Sequence, residues 1–474
     1  MPTPNTHHGA EYIRAVMQNS RDKSIFFAGV GGVMMSSLAL LTKRAGFNVC
    51  GSDRSQTPTT RKIEASGIYI NHSHCAENIN DSIGAFVYTV AISPDNPEYV
   101  EAQRRNSPCI SRADYLGYIM TEYKNRIGIA GMHGKSTDTS MSAQIFLTDS
   151  EKSGTPSPTI ISGADYKPMG GAYCIGENEN FIFEACEYMD SFLDFNPTVA
   201  VLLNAEMEHV DYFKSMEHIN SSFAKYASLT GDGGVCVANA DDENIMISVK
   251  DYRGKLVTFG LENDADYTAK NIRVEDSRLK YDLIYHGETV ACISLAICGK
   301  HNVYNSMASA AAAHECGVPF SNIEAGLEEF VGAGRRMEYK GNAFGADIYD
   351  DYGHHPTEVA ATLKGAKEMF CGRRLICVFQ PHTYSRTAAL IEDFKFAFDA
   401  ADRVILADIY AAREENIYGI SSKDLADKIG ERAVYGGSFG NCGLMLQDTL
   451  RRGDVVVVMG AGDIYKIYSV LGLN

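Results

Sequence analysis

The stretch Gly131-Met132-His133-Gly134-Lys135-Ser136 constrains this chain more than any other. It follows Ile127-Gly128-Ile129-Ala130, an apolar run of a length that suits a buried parallel strand, and it precedes a helical pattern from Thr139 to Leu147. A glycine turn between strand and helix aims backbone N–H groups and the helix dipole at one point, which suits a phosphate. Gly131 and Gly134 let the backbone wrap an anion, Lys135 can reach terminal phosphates, and the Ser136 hydroxyl can ligate Mg²⁺. The longer phosphate-loop pattern carries a further glycine where Ile129 stands, so this is a shortened variant. Such a turn requires a parallel sheet layered with helices.

Two flanking segments repeat that grammar. Ser24 to Ala28 is a strand-sized apolar run, Gly29-Val30-Gly31-Gly32 a glycine turn, and Met35, Leu38, Leu41 and Thr42 recur at helical spacing until Gly46. A second strand begins at Asn48 and ends near Asp53, about where a ribose-binding acid would sit. Met34 occupies the place of a third glycine and crowds helix against strand, and with a phosphate loop downstream the turn suits a nucleotide-linked substrate as well as a redox cofactor. Beyond Gly332-Ala333-Gly334, strands at 347–349, 375–379, 404–406 and 455–458 alternate with helical stretches at 358–369, 388–400 and 422–429. Between the flanks, 181–183 and 199–203 are buried strands, 255–297 alternates like antiparallel strands, and 303–316 is an Ala-rich helix. Residues up to Lys23 read as a polar tail and Ser150 to Pro158 as a loop.

The expected architecture is three α/β domains in series: a Rossmann-like domain over 1–108, a P-loop ATPase domain over 109–331, and a second Rossmann-like domain over 332–474. The length of 474 residues agrees, at roughly 150 per domain. A formal charge of −17 argues against nucleic acid and anionic membrane as partners. The longest apolar runs, such as Val455 to Met459, are strand-sized, so no bilayer span is expected. Twelve cysteines with no C-x-x-C, and no apolar signal core before residue 25, read as a cytoplasmic protein.

The chemistry-bearing groups fall after strands. Glu184 and Glu187 follow one central strand, and Asn204, Glu206, Glu208 and His209 follow another. In a parallel sheet such ends share an edge with the phosphate loop, where hard oxygen ligands suit Mg²⁺. Asn302 and Asn305 open the Ala-rich helix, fit for capping or for base recognition. Asp350 to Pro356 and Pro381 to Arg386 follow strands of the third unit. The paired histidines His354 and His355 invite zinc, but no cysteine or third histidine lies at ligand spacing. Arg386 with those histidines suits a small carboxylate.

Taken in order, these strings resemble the Mur ligase family, and its alanine-adding branch in particular. The resemblance rests on Gly29 to Gly32, Gly131 to Ser136, Glu184-Ala185-Cys186-Glu187, Asn204 to His209, Gly299 to Asn305 and Arg335 to Glu338. It continues through Asp350-Asp351-Tyr352-Gly353-His354-His355-Pro356-Thr357-Glu358, Phe379 to Thr387 and Met459 to Ile464. It implies an ADP-forming ligase of peptidoglycan precursor synthesis that joins L-alanine to the carboxylate of UDP-N-acetylmuramate through an acyl phosphate. By it, Gly29, Gly31, Gly32 and His74 bind the UDP sugar rather than NAD. The loop from Gly131 through Met132, His133, Gly134, Lys135 and Ser136 to Thr137 holds ATP phosphates, and Asn302, Asn305, Arg336 and Asp351 also contact ATP.

Ser136, Glu184 and His209, with Glu187 a substitute, would bind Mg²⁺, and Tyr352, His354, His382 and Arg386 would surround the amino acid. Lys135, Glu184 and His209 are the implied catalytic groups, His209 either as a metal ligand or as a guide for the amine. Small-molecule substrates and a monomer or weak homodimer complete that picture. The family usually has Thr at Met132 and Asp138, Asp at Glu208, Gly at Met34 and Ser73, and often Arg at Thr383. Asp138 would set a negative charge inside the first turn of the phosphate-receiving helix. The departures at Met132 and Asp138 leave open a weakly active nucleotide-binding paralogue, and the third domain leaves open a sibling ligase that adds a peptide or another amino acid.

Overall fold

Three sheets succeed one another along the chain, as the repeated strand–glycine–helix grammar requires. The computed structural model describes residues 8–473 except 90, 210, 211, 277, 298 and 413. The first sheet is fully parallel, with strands in the spatial order Tyr69–Asn71, Asn48–Ser52, Ser24–Ala28, Ile83–Tyr88 and Cys109–Ser111. Its last strand pairs with Ile83–Tyr88, so the first sheet runs past the expected boundary at residue 108. The supposed polar tail contains a helix, Ala10–Asn19, which buries Ile13, Val16 and Met17 and leaves its other residues wet.

The second sheet has ten strands. Its parallel centre runs Lys255–Phe259, Val235–Asn239, Val199–Leu202, Asn125–Ala130, Asn180–Glu184 and Thr159–Tyr166. Gly171–Cys174 is an antiparallel edge. Tyr267–Glu275, Arg278–Tyr285 and Glu288–Leu295 form the antiparallel wing at the other end. The alternation over 255–297 therefore marks antiparallel strands from Tyr267 onward, whereas Lys255–Phe259 joins the parallel set. The third sheet orders Glu338–Ala343, Ala346–Asp351, Val455–Met459, Leu375–Phe379, Arg403–Ala407 and Ala433–Gly437, parallel except for the first pair.

The helix that follows the phosphate loop is longer than its apolar periodicity indicates. It spans Lys135–Ser153 and stops at Gly154, whose φ of 67° breaks the helical run, so only the latter part of the expected 150–158 loop is a loop. Small residues let its neighbours come close. Ala308, Ala310, Ala311, Ala312 and Ala313 are fully buried on the helix Lys300–Glu315, which packs on it. On the helix Phe320–Glu329, a Cβ added to Gly326 would lie 2.6 Å from Ile145 Cα. The stretch expected to be one helix over 388–400 breaks at Leu390 into Tyr384–Ala389 and Ile391–Ala397, because Leu390 takes φ −111° and ψ 15°.

The first two domains share one apolar core, with Phe27, Tyr115, Leu116 and Ile119 joined to Phe183, Phe192 and Phe223. The third has cores of its own around Phe379 and Val457 and around Val378 and Val458. Its seam with the central domain is rich in charged groups, and the motif strings of both domains meet there.

Candidate active site

The phosphate loop needs backbone that a side chain would block. Gly131 and Gly134 adopt φ of 152° and 86°, and a Cβ at Gly134 would sit 2.8 Å from Asn305 Oδ1. Asn204 ties the loop to the neighbouring strand end: its Oδ1 accepts from the His133 amide at 2.8 Å and its Nδ2 donates to His133 O at 3.0 Å. Lys135 folds back over the loop, donating to Met132 O at 3.1 Å and pairing with Glu187 at 2.9 Å. Burial opposes its charge, but Glu187 outweighs this and lifts its pKa above the ordinary lysine value. Glu187 also receives His209 Nε2 at 3.1 Å, and Ser136 Oγ donates to Glu184 at 2.8 Å. Ser136, Glu184, Glu187 and His209, picked from three separate strings, thus converge on the mouth of the loop.

This donor set fits a hard divalent cation. Ser136 and Glu184 already share a hydrogen bond and would be the oxygen ligands of such an ion, which would supply positive charge to the phosphates held by the loop. A backbone group from a neighbouring strand, which carries no side-chain signal, completes the acid's setting: the Gly163 amide donates to Glu184 Oε2 at 2.9 Å.

Asp138 answers the charge concern. It is fully buried, its Oδ1 accepts from Ser309 Oγ at 2.9 Å and Ser142 Oγ at 3.4 Å, and Oδ2 has no hydrogen-bond partner among the described residues. Burial pushes its pKa up to about 8, so at neutral pH it is a neutral acid facing the Ala-rich helix. The phosphate-receiving turn therefore carries no extra negative charge. Met132 is 6% exposed and packs into the core shared with the first domain.

A cleft of about 370 Å³ opens beside the loop at the seam with the third domain. His133, Gly134, Thr137, Asn302, Asn305, Arg336 and Asp351 all line it, with Phe259, Ile297 and Tyr304 as apolar and aromatic wall. Its volume and its place between domains suit a small-molecule site. Asp351 organises the third domain's side, accepting from the Met337 amide at 3.0 Å and the Gly353 amide at 2.8 Å, and burial raises its pKa to about 6.

His133 bridges the seam, paired with Glu206 and, at 3.1 Å, with Glu358. Burial pulls its pKa down, but those acids outweigh it and hold it up at about 10. Glu358 has no distinct sequence signal apart from its string. It also accepts from the His354 amide at 3.0 Å, and it lies in the first turn of the helix Pro356–Met369, which His355 caps. Packing brings His355 of that pair together with a histidine from the phosphate loop and an acid: ligand atoms of His133, Glu208 and His355 lie within 4.8 Å of one another, and His354 is not among them. Both ring nitrogens of His133 are taken by carboxylates, which disfavours a metal there.

The groups expected around the amino acid do assemble. Tyr352 carries Arg335 and Arg336 at 4.9 and 5.1 Å from its ring centre, and His354 packs 5.6 Å from His382. Burial lowers the His354 pKa to about 4, so it is neutral. His382 Nδ1 meets Arg386 Nη1 at 3.2 Å, and Arg386 Nη2 donates to Glu208 Oε1 at 2.6 Å, across the domain seam. Backbone strain gathers here: His209, Arg335, Met337 and Thr383 have φ of 52°, 55°, 49° and 64°.

The glycine turn of the first domain is built differently. Gly31 N donates to Asp53 Oδ2 at 2.9 Å, so Asp53 supports the turn. His74 lies against a buried acid that the sequence did not single out: Glu98 takes His74 Nδ1 at 2.6 Å, Ser52 Oγ at 2.7 Å and Asn78 Nδ2 at 2.6 Å. Glu98 sits in the first turn of a surface helix, where nothing local distinguishes it from a capping acid.

Three α/β units, a phosphate loop ringed by acids and a third domain that closes a nucleotide-sized cleft define an ATP-using multidomain ligase. The chain belongs to the Mur ligase family. Residues 24–124 match the model described as Mur ligase family, catalytic domain; 129–313 match Mur ligase middle domain; 335–462 match Mur ligase, glutamate ligase domain. A relative named UDP-N-acetylmuramate–L-alanine ligase, from Caldicellulosiruptor saccharolyticus, is 41% identical over 94% of this chain and 97% of its own. The crystal structure of the UDP-N-acetylmuramate-alanine ligase MurC from Thermotoga maritima superposes with TM-score 0.76 at 27% identity, over 95% of this chain and 98% of that one. MurF ligase from the same organism, solved in complex with ADP, shares the fold at TM-score 0.62 and 15% identity, over 84% and 96% of the two chains.

Proposed function

We propose that this chain is the ligase that joins L-alanine to the carboxylate of UDP-N-acetylmuramate, consuming ATP in peptidoglycan precursor synthesis. The observation that carries the reading is the meeting of the phosphate loop, its ring of acids and the Arg386 cluster at one domain seam. The three sheets correspond to three tasks: the first domain holds the UDP sugar at Gly29, Gly31, Gly32 and His74, the central one ATP, and the third the amino acid. The long agreement in sequence with alanine-adding relatives favours alanine over a peptide as the incoming amine.

The residues suit an acyl-phosphate route. A carboxylate is a poor electrophile because oxide would have to leave, and phosphorylation supplies a better leaving group. Lys135, freed from Glu187 by the incoming phosphates, neutralises charge on the transferring group, and the loop amides align it. Asn302, Asn305, Arg336 and Asp351 hold the nucleotide in the cleft. Mg²⁺ would be held by Ser136 and Glu184, with Glu187 and His209 adjacent, and when bound it screens the phosphate charges. Tyr352, His354, His382 and Arg386 present the amino acid to the acyl phosphate.

The experiment is product analysis after mixing the chain with ATP, Mg²⁺, UDP-N-acetylmuramate and L-alanine. The expected result is ADP, phosphate and the alanyl sugar nucleotide, with ADP release dependent on the sugar nucleotide. ATP turnover indifferent to that substrate, or none at all, overturns the reading.

A further inference from the structure

Arg386, the guanidinium offered to the amino acid's carboxylate, already has a carboxylate on it. Glu208 Oε1 sits 2.6 Å from Arg386 Nη2, and the pair bridges the central and third domains. The Glu208 side chain is 8% exposed and that of Arg386 19%. The other oxygen, Glu208 Oε2, is buried and has no hydrogen-bond partner among the described residues, and His355 Nε2 lies 3.7 Å from it, beyond hydrogen-bond reach. His355 is the cap of the following helix, its Nδ1 accepting from the Thr357 amide at 3.4 Å, which orients the ring. His382 meanwhile holds the far nitrogen of the Arg386 fork at 3.2 Å.

A buried ion pair with an orphan oxygen is an incomplete receptor. A molecule carrying one charge could displace either partner only by leaving the other charge buried and uncompensated. A zwitterion can enter between them and leave neither unpaired. We infer that the Glu208–Arg386 pair is the receptor for the zwitterion of the incoming amino acid: its α-carboxylate replaces Glu208 on Arg386, and Glu208 turns to hold its α-ammonium. The inference rests on the proposed ligase reaction and adds to it Glu208 as a binding residue for the amine end. An ammonium brings three donors to a carboxylate that lacks one. Because the two partners belong to different domains, separation of the domains opens the pair, and closure around the zwitterion sets the nitrogen at the seam, beside the phosphate loop. The same geometry discriminates against amines without a carboxylate and against carboxylates without an amine.

The test compares three ligands of the full-length protein by calorimetry: L-alanine, propionate and ethylamine. Wild type is expected to bind alanine at least about ten-fold more tightly than either single-charge analogue. Glu208→Gln removes the ammonium's partner and unmasks Arg386, so alanine should weaken by about ten- to a hundred-fold while propionate tightens. Glu208→Asp, which keeps the charge, should restore alanine binding to within a few-fold. Formation of a hydroxamate from hydroxylamine, ATP and UDP-N-acetylmuramate should persist in Glu208→Gln, since hydroxylamine carries neither charge at neutral pH. Parallel changes for alanine and propionate, wild-type binding that ignores the ammonium, or loss of hydroxamate together with alanine ligation each overturn the inference. If Glu208→Gln does not fold, the wild-type ranking of the three ligands still decides. Absence of hydroxamate with wild type would instead overturn the ligase reaction itself, so the two readings fail separately.

Discussion

Replacing Asp138 by asparagine should make the central domain's stability less sensitive to pH. In the folded chain burial raises the Asp138 pKa to about 8 from an ordinary 3.8. Between those values the native state holds a proton that the unfolded chain has lost. Stability therefore falls as pH rises through the window, and the full penalty is present above it. The slope is about 1.4 kcal/mol per pH unit, so from pH 6 to pH 8, with half-ionisation at the top, wild type loses about 2 kcal/mol through this group. The amide of the Asp138→Asn variant does not titrate, and its carbonyl can keep the hydrogen bond from Ser309. For a domain of this size each kcal/mol moves the melting temperature by about 2–4 °C, so the gap between variant and wild type should widen by about 4–8 °C over that range. Thermal melts of both proteins at closely spaced pH values make the measurement, and the double difference cancels every other titrating group. Parallel melting curves for the two proteins from pH 6 to pH 8 would refute the claim that Asp138 is a buried neutral acid.

Lys135→Ala should cost about a hundred-fold or more in ligation rate while leaving UDP-N-acetylmuramate binding intact, because it removes a preorganised phosphate contact in the central domain only; turnover assays paired with sugar-nucleotide titration check it. Arg386→Lys keeps the charge but loses the planar fork, and should raise the KM for alanine by about ten-fold or more with the KM for ATP unchanged. Steady-state kinetics on a variant of unaltered melting temperature would show a selective ATP defect if Arg386 served the nucleotide instead. Gly326→Ala places a methyl group 2.6 Å from the Ile145 backbone, and should destabilise by about 1–3 kcal/mol without altering any substrate's KM; a melt at fixed pH decides it.

Much of the fold follows from short-range pattern. Strand-sized apolar runs, glycine turns and helical periodicity are local properties, so the three α/β units, the phosphate loop and the helical stretches over 358–369 and 422–429 are visible in the chain itself, the first of them starting two residues earlier in the structure. Where the pattern misled, a longer-range term intervened. The helix Ala10–Asn19 has just three buried positions, too few to stand out in a polar segment, and it forms because a core waits for that face. The break at Leu390 is a backbone angle with no compositional marker.

The site divides in the same way. The order of the motifs establishes which groups sit at strand ends beside the loop, since a parallel sheet places those ends on one edge. Pairing is another matter. Glu208 and Arg386 are 178 residues apart, and nothing in either string announces that one sits on the other. His133 is charged because Glu206 and Glu358 flank it from two domains. Asp138 is neutral because the Ala-rich helix excludes water from it. Protonation and pairing depend on desolvation and on charges brought near by packing. Those are properties of the folded volume, and the tertiary structure alone decides them.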